Sequence, residues 1–387
     1  MQVVHIYKDS YPPITGGVEI SMHRLVDGCR DVCGGLSVLV AGRRWLTERS
    51  EIEGIPVVRV GEWGRFLSNP IAPTFPLWLA RTSADILHYH LPHPTAVISH
   101  LLARPRGKVV VHYHSDIVRQ AKIMPFYRPL LYRFLRSSDR IIATSPNYLE
   151  TSPVLRHFRE KCRVVPLGVP LNRFVPTQEV EDSAQVIRRR YGMRLILFVG
   201  ILRYYKGVQY LLDAMRHVDG TLLVIGDGPR LGSLMKQASE LPYGNRIHFL
   251  GQVEDVVPYY FASDIFCLPS VFRSEAFGIV LIEAAAAGLP LVSTEIGTGT
   301  SYINLHEKTG LVVPPADPAS LGQALSKLLD DTELRLQYGV AAQHRARSEF
   351  SQERMVQGVL SVYEEVLGRP LTYPVEEPTV EVLAGVD

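Results

Sequence analysis

The strongest constraint on the fold is a regular alternation of short runs, many of them apolar at every position, with amphipathic stretches along the whole chain. The apolar runs are rich in Val, Ile and Leu and have the length of strands. Apolar side chains at every position are typical of parallel strands that are buried on both faces. The amphipathic stretches predict helices that cover such a sheet, so the sequence predicts a doubly wound α/β fold.

This alternation occurs in two successive sets. The chain has 387 residues, more than a single hydrophobic core usually supports, so we predict two domains. The strands predicted in the first set are Val3–Tyr7, Leu36–Ala41, Val57–Val60, Ile86–Tyr89, Val109–Tyr113, Arg140–Thr144 and Cys162–Pro166. Those in the second set are Leu195–Gly200, Thr221–Ile225, Ile247–Leu250, Ile265–Leu268, Leu291–Ser293 and Gly310–Val313. The clearest predicted helices are Val18–Cys29, Pro129–Ser137, Val208–His217 and Phe277–Ala287.

Proline and glycine mark the predicted domain boundary. The segment 166–176 contains three prolines and a glycine, a composition that breaks regular structure. We therefore predict an N-terminal domain over residues 1–168 and a C-terminal domain over 169–350. A helix at 351–368 is expected to pack back on the N-terminal domain, and the proline-rich, acidic segment 369–387 is expected to be a flexible tail.

Charge and cysteine content exclude several protein classes. The formal net charge of +2 is typical of neither a nucleic-acid-binding protein nor an acidic tail protein. Residues 1–168 nevertheless carry 22 Lys and Arg against 13 Asp and Glu, and the remainder carries 19 against 26. A basic half of this kind is suited to an anionic surface. The four cysteines lack zinc-site spacing, and no secretory signal is apparent at the N-terminus, so we expect free thiols and a cytoplasmic protein.

Three glycine-containing turns follow predicted strands. Gly16 and Gly17 precede an amphipathic helix, the segment 200–207 (GILRYYKG) leads into another, and Gly226 and Gly228 flank Asp227 after a strand. Glycines let a ligand approach the backbone, and helix N-termini favour phosphate. Arg203 and Lys206 could clamp a pyrophosphate, but each turn could also be purely structural.

The segment 274–283 (SEAFGIVLIE) places two carboxylates eight residues apart in an otherwise apolar stretch. A carboxylate on such a face needs a partner, which ribose hydroxyls would supply. A hydrolytic acid–base pair is less consistent with this spacing. Such carboxyl groups lie about 5–9.5 Å apart, whereas Glu275 and Glu283 are expected to be nearer about 10 Å apart at the helical rise.

Two His-Tyr-His sequences, at 88–90 and 112–114, each end a predicted strand. Alternate residues of a strand share a face, so each pair of histidines should point in the same direction. Three interpretations remain open: polar side chains at the edge of a cleft, histidines satisfied within the core, and a metal site. The first is preferred, because the four histidines lack an evident carboxylate or thiolate partner for a metal.

These motifs occur in the order found in family 4 of the retaining glycosyltransferases, and residues 1 to about 365 resemble that family. The resemblance implies a GT-B fold, in which two Rossmann-like domains with doubly wound parallel sheets face a central cleft. Segments 112–153 and 297–301 look closest to bacterial enzymes of O-antigen and exopolysaccharide synthesis, several of which are mannosyltransferases. A nucleotide-diphosphate sugar is then the donor, and the first expectation for the transferred hexose is mannose from GDP-mannose.

The resemblance also implies roles for individual residues. The expected catalytic group is His114, Glu275, Lys206 and Arg203. The expected donor-binding group is Gly16, Gly17, Gly200, Gly226, Gly228, Phe277, Gly278, Ile279 and Glu283. In these roles Lys206 neutralises the diphosphate, Glu275 contacts the transferred sugar, Glu283 holds the ribose and His114 lies beside the reacting centre. The family usually has Arg directly after the strand-ending glycine, where this chain has Ile201. Two alternatives stay open: Arg203 replaces that arginine, or stabilisation of the diphosphate rests on Lys206 and the helix dipoles.

The expected reaction retains the anomeric configuration and uses neither a cofactor nor a metal, since no convincing D-x-D motif is present. The expected acceptor is a saccharide, and a lipid-linked one is expected because basic and apolar residues interleave over 119–140. That pattern is typical of an interfacial helix at an anionic membrane, although an ordinary packed helix with a basic outer face would give the same pattern. The alternatives are a small-molecule transferase of the same family, a nucleotide-sugar 2-epimerase and a non-catalytic sugar-nucleotide-binding protein.

Overall fold

The computed structural model describes residues 1–14, 16–117 and 124–371. They form two α/β domains, each built on its own mainly parallel sheet. The remaining residues, which include Arg119, Lys122 and most of the predicted tail, lie outside the described part of the chain.

The N-terminal sheet has eight strands in the order β10-β9-β8-β7-β1-β2-β4-β3. The strands of the N-terminal domain are β1 Gln2–Tyr7, β2 Gly35–Ala41, β3 Glu48–Ile52, β4 Ile55–Val60, β5 Arg65–Phe66, β6 Asn69–Pro70, β7 Ser83–Leu91, β8 Arg106–Tyr113, β9 Arg140–Ala143 and β10 Cys162–Val164. Only β3 runs antiparallel to its neighbour within this sheet, and β5 and β6 form a separate small hairpin.

The C-terminal sheet has six parallel strands in the order β13-β12-β11-β14-β15-β16. They are β11 Leu195–Val199, β12 Thr221–Ile225, β13 Ile247–Gly251, β14 Ile265–Leu268, β15 Leu291–Thr294 and β16 Gly310–Val313. Strands β11, β12 and β14 are almost wholly buried, because helices cover both faces of the sheet. The chain order reverses between β11 and β14, the position at which open α/β sheets form a ligand crevice.

Helices follow most strands in both domains. They are α1 Gly17–Gly28, α2 Phe75–Ala80, α3 Pro94–Ala103, α4 Met124–Ser137, α5 Pro146–Thr151, α6 Gln178–Tyr191, α7 Val208–Ala214, α8 Leu231–Glu240, α9 Val257–Ala262, α10 Ile279–Ala286, α11 Thr300–Ile303, α12 Pro318–Asp330, α13 Thr332–Glu349 and α14 Gln352–Leu367. Short 3-10 turns lie at Leu155–Lys161, Leu171–Arg173, Tyr204–Lys206, Met215–His217 and Gly244–Arg246.

The differences from the predicted elements have local causes. Strand β3 was not predicted, because its sequence, ERSEI, is mostly polar and lies at the sheet edge. Helix α10 begins at Ile279 and not at Phe277, because Gly278 adopts a left-handed conformation that is incompatible with a preceding helical turn. Helix α4 begins at Met124, before the predicted start, and includes Pro129.

The chain passes between the domains twice, at adjacent positions. After β10 it leaves the N-terminal domain through residues 165–177, and it returns after α13. The two passages pair at Val169 and Ser351, where the Val169 amide donates to the Phe350 carbonyl and the Gln352 amide donates to that of Val169. Helix α14 then packs on the N-terminal domain, where Glu365 accepts hydrogen bonds from Arg140 and Arg163.

Candidate active site

A buried ion pair lies at the carboxyl edge of the C-terminal sheet. Lys206, in the loop after β11, places its Nζ 2.6 Å from Oε2 of Glu275, in the loop after β14. The hydroxyl of Ser270 donates to the same carboxylate oxygen at 3.1 Å. The structure thus brings together two of the predicted catalytic side chains, and they bind each other.

The environment of Lys206 keeps it cationic. Burial by itself lowers the pKa of this amine, but the charges of Glu275 and Tyr205 outweigh burial, and the pKa is raised. A bound anion would therefore meet a fixed positive charge in a region of low dielectric, where electrostatic attraction is strong. It would also have to compete with Glu275 for that charge.

Three predicted glycines lie around Lys206. A Cβ at Gly200 would lie 3.3 Å from Cε and Nζ of Lys206. Gly226 has φ of +130°, and a Cβ there would lie 2.2 Å from the carbonyl oxygen of Gly200. A Cβ at Gly228 would be 2.7 Å from backbone atoms of Leu202. The close packing of two loops is thus sufficient to require glycine at these positions. Because glycine has no side chain, the backbone beside the ion pair is also left open.

The N-terminus of α10 faces the N-terminal domain. Gly278 precedes the helix with φ of +88° and ψ of +54°, while Phe277 is buried and Ile279 is partly exposed. A Cβ on Gly17, the first residue of α1, would lie 3.7 Å from Cδ1 of Ile279. The N-termini of α1 and α10 therefore meet across the cleft, and both direct backbone N–H groups towards it.

Glu283, in α10, already has partners from both domains. The hydroxyl of Tyr260 donates to its Oε2 at 3.1 Å, and a guanidinium nitrogen of Arg24, in α1, lies 3.6 Å from its Oε1. Burial raises the pKa of Glu283 despite the opposing effects of Arg24 and Tyr260. The protein itself therefore provides partners for the carboxylate of Glu283. A ribose bound here would share that carboxylate with Arg24.

The predicted phosphate turn at Gly16 and Gly17 holds a carboxylate of its own. Glu19, in the first turn of α1, is buried, and its Oε2 would lie 2.1 Å from a Cβ on Gly16. Burial raises its pKa, whereas the charges of Lys8 and Arg203 lower it. Arg203 is exposed on the C-terminal side of the cleft. The turn therefore contains a carboxylate whose charge is balanced by Lys8 and Arg203, and it is not a simple anion-binding turn.

The predicted histidines lie on one face of three neighbouring strands. His5 on β1 is opposite His88 on β7, and His90 on β7 is opposite His112 on β8. With His114 they form a buried stack in which ring centroids are 4.2–5.6 Å apart and interplanar angles are 6–30°. They are neither solvated cleft residues nor simply satisfied core residues, because several ring nitrogens have no hydrogen-bond partner.

The stack is poorly shaped for a metal ion. Two triplets, His5-His88-His90 and His90-His112-His114, have nitrogen atoms within 4.8 Å of one another. Zinc requires nitrogens about 2.0–2.1 Å from the metal, with their lone pairs converging on it. Within these triplets, Nδ1 of His5 lies 3.0 Å from Nε2 of His90, and Nδ1 of His90 lies 2.9 Å from Nε2 of His114, so these nitrogens hydrogen-bond each other and do not converge on a common point. Burial lowers the pKa of every histidine in the stack, which keeps the rings neutral.

One contact across the cleft was not predicted from the sequence. Arg273 lies two residues before Glu275, and its guanidinium is 3.3 Å from Oδ2 of Asp116, two residues after His114. Asp116 also accepts hydrogen bonds from Tyr113 and Ser152. The pair holds the loop of His114 against the loop of Glu275. The only signal in the sequence was the position of Arg273 immediately before the acidic motif.

The basic stretch 119–140 is described only from residue 124 onward. Helix α4 buries Tyr127, Leu131, Phe134 and Leu135; its arginines are exposed, and Phe126 is 82% exposed. Arg140, which follows the helix, pairs with Glu365. Helix α4 is thus a packed amphipathic helix with a basic outer face.

An apolar cavity of about 360 Å³ opens beside α4, at the carboxyl edge of the N-terminal sheet. Its walls come from the β5–β6 hairpin, α3, α4 and the loops that follow β1, β7 and β8. Representative lining residues are Lys8, Phe66, Ile98, Phe126 and Leu130. Among the helices of the described ranges, none has the length and apolar content needed to cross a membrane.

Two family models match the chain, one for each domain. Residues 15–173 match the model described as glycosyltransferase family 4, and residues 180–345 match that of glycosyl transferases group 1. The O-antigen chain mannosyltransferase C of Escherichia coli is 34% identical over 376 residues, covering 95% of this chain and 99% of that protein. The D-rhamnosyltransferase WbpZ of Pseudomonas aeruginosa is 46% identical over 272 residues, covering 69% of this chain and 70% of that protein.

Solved structures share the architecture at lower sequence identity. Sucrose-phosphate synthase from Thermosynechococcus elongatus has a TM-score of 0.80 and 21% identity, covering 95% of this chain and all of that one. Anabaena HepE in complex with UDP has a TM-score of 0.78 and 20% identity, covering 94% of this chain and all of that one. With its two parallel-sheet domains and its full-length relative of 34% identity, the chain belongs to glycosyltransferase family 4 and has the GT-B fold.

Proposed function

We propose that the protein transfers a manno-configured hexose from a nucleotide-diphosphate sugar to a lipid-linked saccharide acceptor, with retention of the anomeric configuration and without a metal ion. The observation that carries the donor part is the buried Lys206–Glu275 pair, at 2.6 Å, beside the N-terminus of α10. A diphosphate needs the cation and the helix terminus, and a sugar needs the carboxylate.

The proposal for the sugar rests on the chemistry shared by two relatives. One is named as a mannosyltransferase and the other as a D-rhamnosyltransferase, and D-rhamnose is 6-deoxy-D-mannose. Both sugars therefore have the same configuration at C2, C3 and C4 and differ at C6. A manno-configured sugar carried by GDP is the donor that we propose.

The proposed reaction begins with cleavage of the bond between the anomeric carbon and the diphosphate. Negative charge develops on the leaving diphosphate, and Lys206, Arg203 and the N–H groups at the start of α10 stabilise it. This requires that Glu275 has already exchanged its bond to Lys206 for sugar hydroxyls when the donor bound. The acceptor hydroxyl attacks the same face of the anomeric carbon, and its proton passes to the departing phosphate oxygen.

The proposal for the acceptor rests on the apolar cavity beside α4. The cavity lies at the carboxyl edge of the N-terminal sheet, opposite the donor loops, and Lys8 belongs both to its wall and to the surroundings of Glu19. The exposed side chains of Phe66 and Phe126 lie at the cavity. An acceptor with an apolar chain could place that chain here while its sugar faces Glu275.

A donor panel tests the first part of the proposal. Thermal shift would be measured with GDP-mannose, UDP-glucose and a dTDP-sugar, because a ligand of the folded state raises Tm according to RT ln(1 + [L]/Kd). We expect GDP-mannose to produce the largest shift and Lys206→Ala to reduce it. Lys236→Ala, on an exposed face of α8, is the matched control. A panel without any shift, or an unchanged shift in Lys206→Ala, would overturn the donor site.

Product analysis separates the proposed transferase from the alternatives. A 2-epimerase would release an epimerised sugar without an acceptor, and a binding protein would leave GDP-mannose intact. If the acceptor is lipid-linked, the rate of transfer to a prenyl-diphosphate saccharide should exceed the rate of transfer to the same saccharide without its lipid. Phe126→Ser should reduce that difference, whereas Leu336→Ser, at an exposed site in α13, should preserve it. Equal transfer to both acceptors would favour a small-molecule transferase.

A further inference from the structure

Within the histidine stack, three rings form a continuous hydrogen-bonded chain. Nδ1 of His5 lies 3.0 Å from Nε2 of His90, and Nδ1 of His90 lies 2.9 Å from Nε2 of His114. The two ends of the chain, Nε2 of His5 and Nδ1 of His114, are buried and have no hydrogen-bond partner among the residues that the structure describes. The chain therefore runs from the core of the N-terminal domain to the residue expected beside the reacting centre.

Neutral rings allow only two arrangements of protons along this chain. A neutral imidazole has one N–H donor and one bare acceptor nitrogen, and each hydrogen bond needs one of each. All three rings therefore carry the proton on Nε2, or all three carry it on Nδ1. The tautomer of His114 is thus coupled to those of His90 and His5.

The two arrangements differ in where an unpaired N–H is left. With protons on Nε2, the unpaired donor is on His5, deep in the sheet, where no ligand reaches it. With protons on Nδ1, the unpaired donor is on His114, which directly follows β8 at the carboxyl edge of the sheet. It lies two residues before Asp116, which pairs with Arg273 across the cleft, so an oxygen of a ligand bound at this edge would accept the hydrogen bond. Because a buried N–H without a partner is costly, ligand binding favours the second arrangement.

We propose that His90 and His5 are positioning residues that hold His114 in its Nδ1–H tautomer, so that His114 donates a hydrogen bond to an oxygen of the bound donor sugar. The inference rests on the proposed function, because a sugar oxygen is taken as the acceptor. The inference gives a role to His5 and His90, which are buried on a face of the sheet where apolar side chains would otherwise be favoured. The remaining members of the stack lie outside the chain: His88 Nδ1 bonds the Tyr363 hydroxyl at 2.5 Å, and both nitrogens of His112 lack a partner.

Two substitutions of His90 separate positioning from packing. His90→Phe keeps an aromatic ring in the stack but removes the hydrogen bond to His114. His90→Asn loses the ring but can place an amide N–H close to the original Nδ1, and it can donate to Nε2 of His114. If His90 only fills space, Phe should be the better tolerated substitution; if it positions His114, Asn should be.

The primary measurement is the tautomer of His114, from long-range nitrogen–carbon NMR correlations of histidine-labelled protein bound to GDP-mannose. We expect a protonated Nδ1 and a bare Nε2 in the wild type and in His90→Asn, and averaged tautomers in His90→Phe. Turnover of GDP-mannose should fall by about two- to tenfold in His90→Phe, consistent with one lost hydrogen bond, and should largely recover in His90→Asn. His100→Phe is the control, since His100 is a buried histidine that bonds Tyr89 outside the chain.

A wild-type His114 that is protonated on Nε2, or a tautomer that is unchanged in His90→Phe, would overturn the proposal. If GDP-mannose is neither bound nor turned over, the donor assignment fails, and the NMR comparison is made on the free protein. There, loss of a single tautomer of His114 in His90→Phe still supports the chain, and its persistence still contradicts it.

Discussion

A substitution of His112 allows a direct measurement of how much stability the fold loses at acidic pH because of the buried histidine stack. Its side chain is 1% exposed and neither ring nitrogen has a partner. Burial lowers its pKa from 6.5 to about 3. Below pH 6.5 the unfolded chain therefore binds a proton that the folded protein does not bind, so stability falls as pH falls and continues to fall until about pH 3.

The size of this effect follows from the two pKa values. Between pH 7.5 and pH 5.0, protonation of the unfolded state at pKa 6.5 costs the fold about 2 kcal/mol for His112. The pKa values of His5 and of His93, a further buried histidine, are likewise lowered to about 3, and these residues should contribute similarly. The loss of stability summed over these three histidines is comparable with the stability of a typical domain, about 5–15 kcal/mol. We therefore predict that the N-terminal domain unfolds near pH 5.

The assay compares wild type with His112→Leu by urea unfolding at pH 7.5 and pH 5.0. Tryptophan fluorescence reports on the N-terminal domain, because all three tryptophans of the chain, at positions 45, 63 and 78, lie in it. The stability of His112→Leu should fall by about 2 kcal/mol less than that of wild type over this pH range. His157→Leu, at an exposed site, should match wild type. Identical pH dependence in wild type and His112→Leu would refute the reasoning.

Three further predictions concern the cleft. Gly278→Ala should destabilise the C-terminal domain by about 1–2 kcal/mol in denaturant unfolding, because φ of +88° is unfavourable for alanine; Gly232→Ala, where a Cβ meets no atom within 4 Å, should not. Arg273→Ala should increase the radius of gyration in X-ray scattering, since it removes one of the ion pairs that join the two domains, and an unchanged radius would count against that role. Arg24→Ala should raise the pH below which nucleotide binding is lost, because the Arg24 charge lowers the pKa of Glu283; equal pH profiles for the two proteins would contradict this.

Much of the architecture could be predicted because parallel strands leave a strong signal. Strands such as β12 and β14 are apolar at nearly every position, and the predicted bounds Thr221–Ile225 and Ile265–Leu268 agree with the structure. The polar edge strand β3 and the two-residue strands of the β5–β6 hairpin carry no comparable pattern. Their positions depend on pairing with neighbours, which no local sequence pattern encodes.

The candidate site was predictable as a set of residues but not as a set of contacts. Lys206 and Glu275 were identified, yet their direct pairing is a result of how two distant loops meet. The same holds for Arg24 with Glu283, which lie in different domains. The hydrogen-bonded chain of His5, His90 and His114 depends on the register of three strands, and His5 stood outside the two His-Tyr-His sequences that drew attention to the others.

The adjacent passages at Val169 and Ser351 have a consequence for how the chain can be divided. Because α14 belongs physically to the N-terminal domain, the C-terminal domain is in effect an insertion whose two ends meet side by side. A fragment ending at residue 168 would lack the helix that supplies Tyr363 to His88 and Glu365 to Arg140. An N-terminal domain built to fold alone should instead join residues 1–168 to 351–371 by a short linker, and the segment between them should fold as an independent unit.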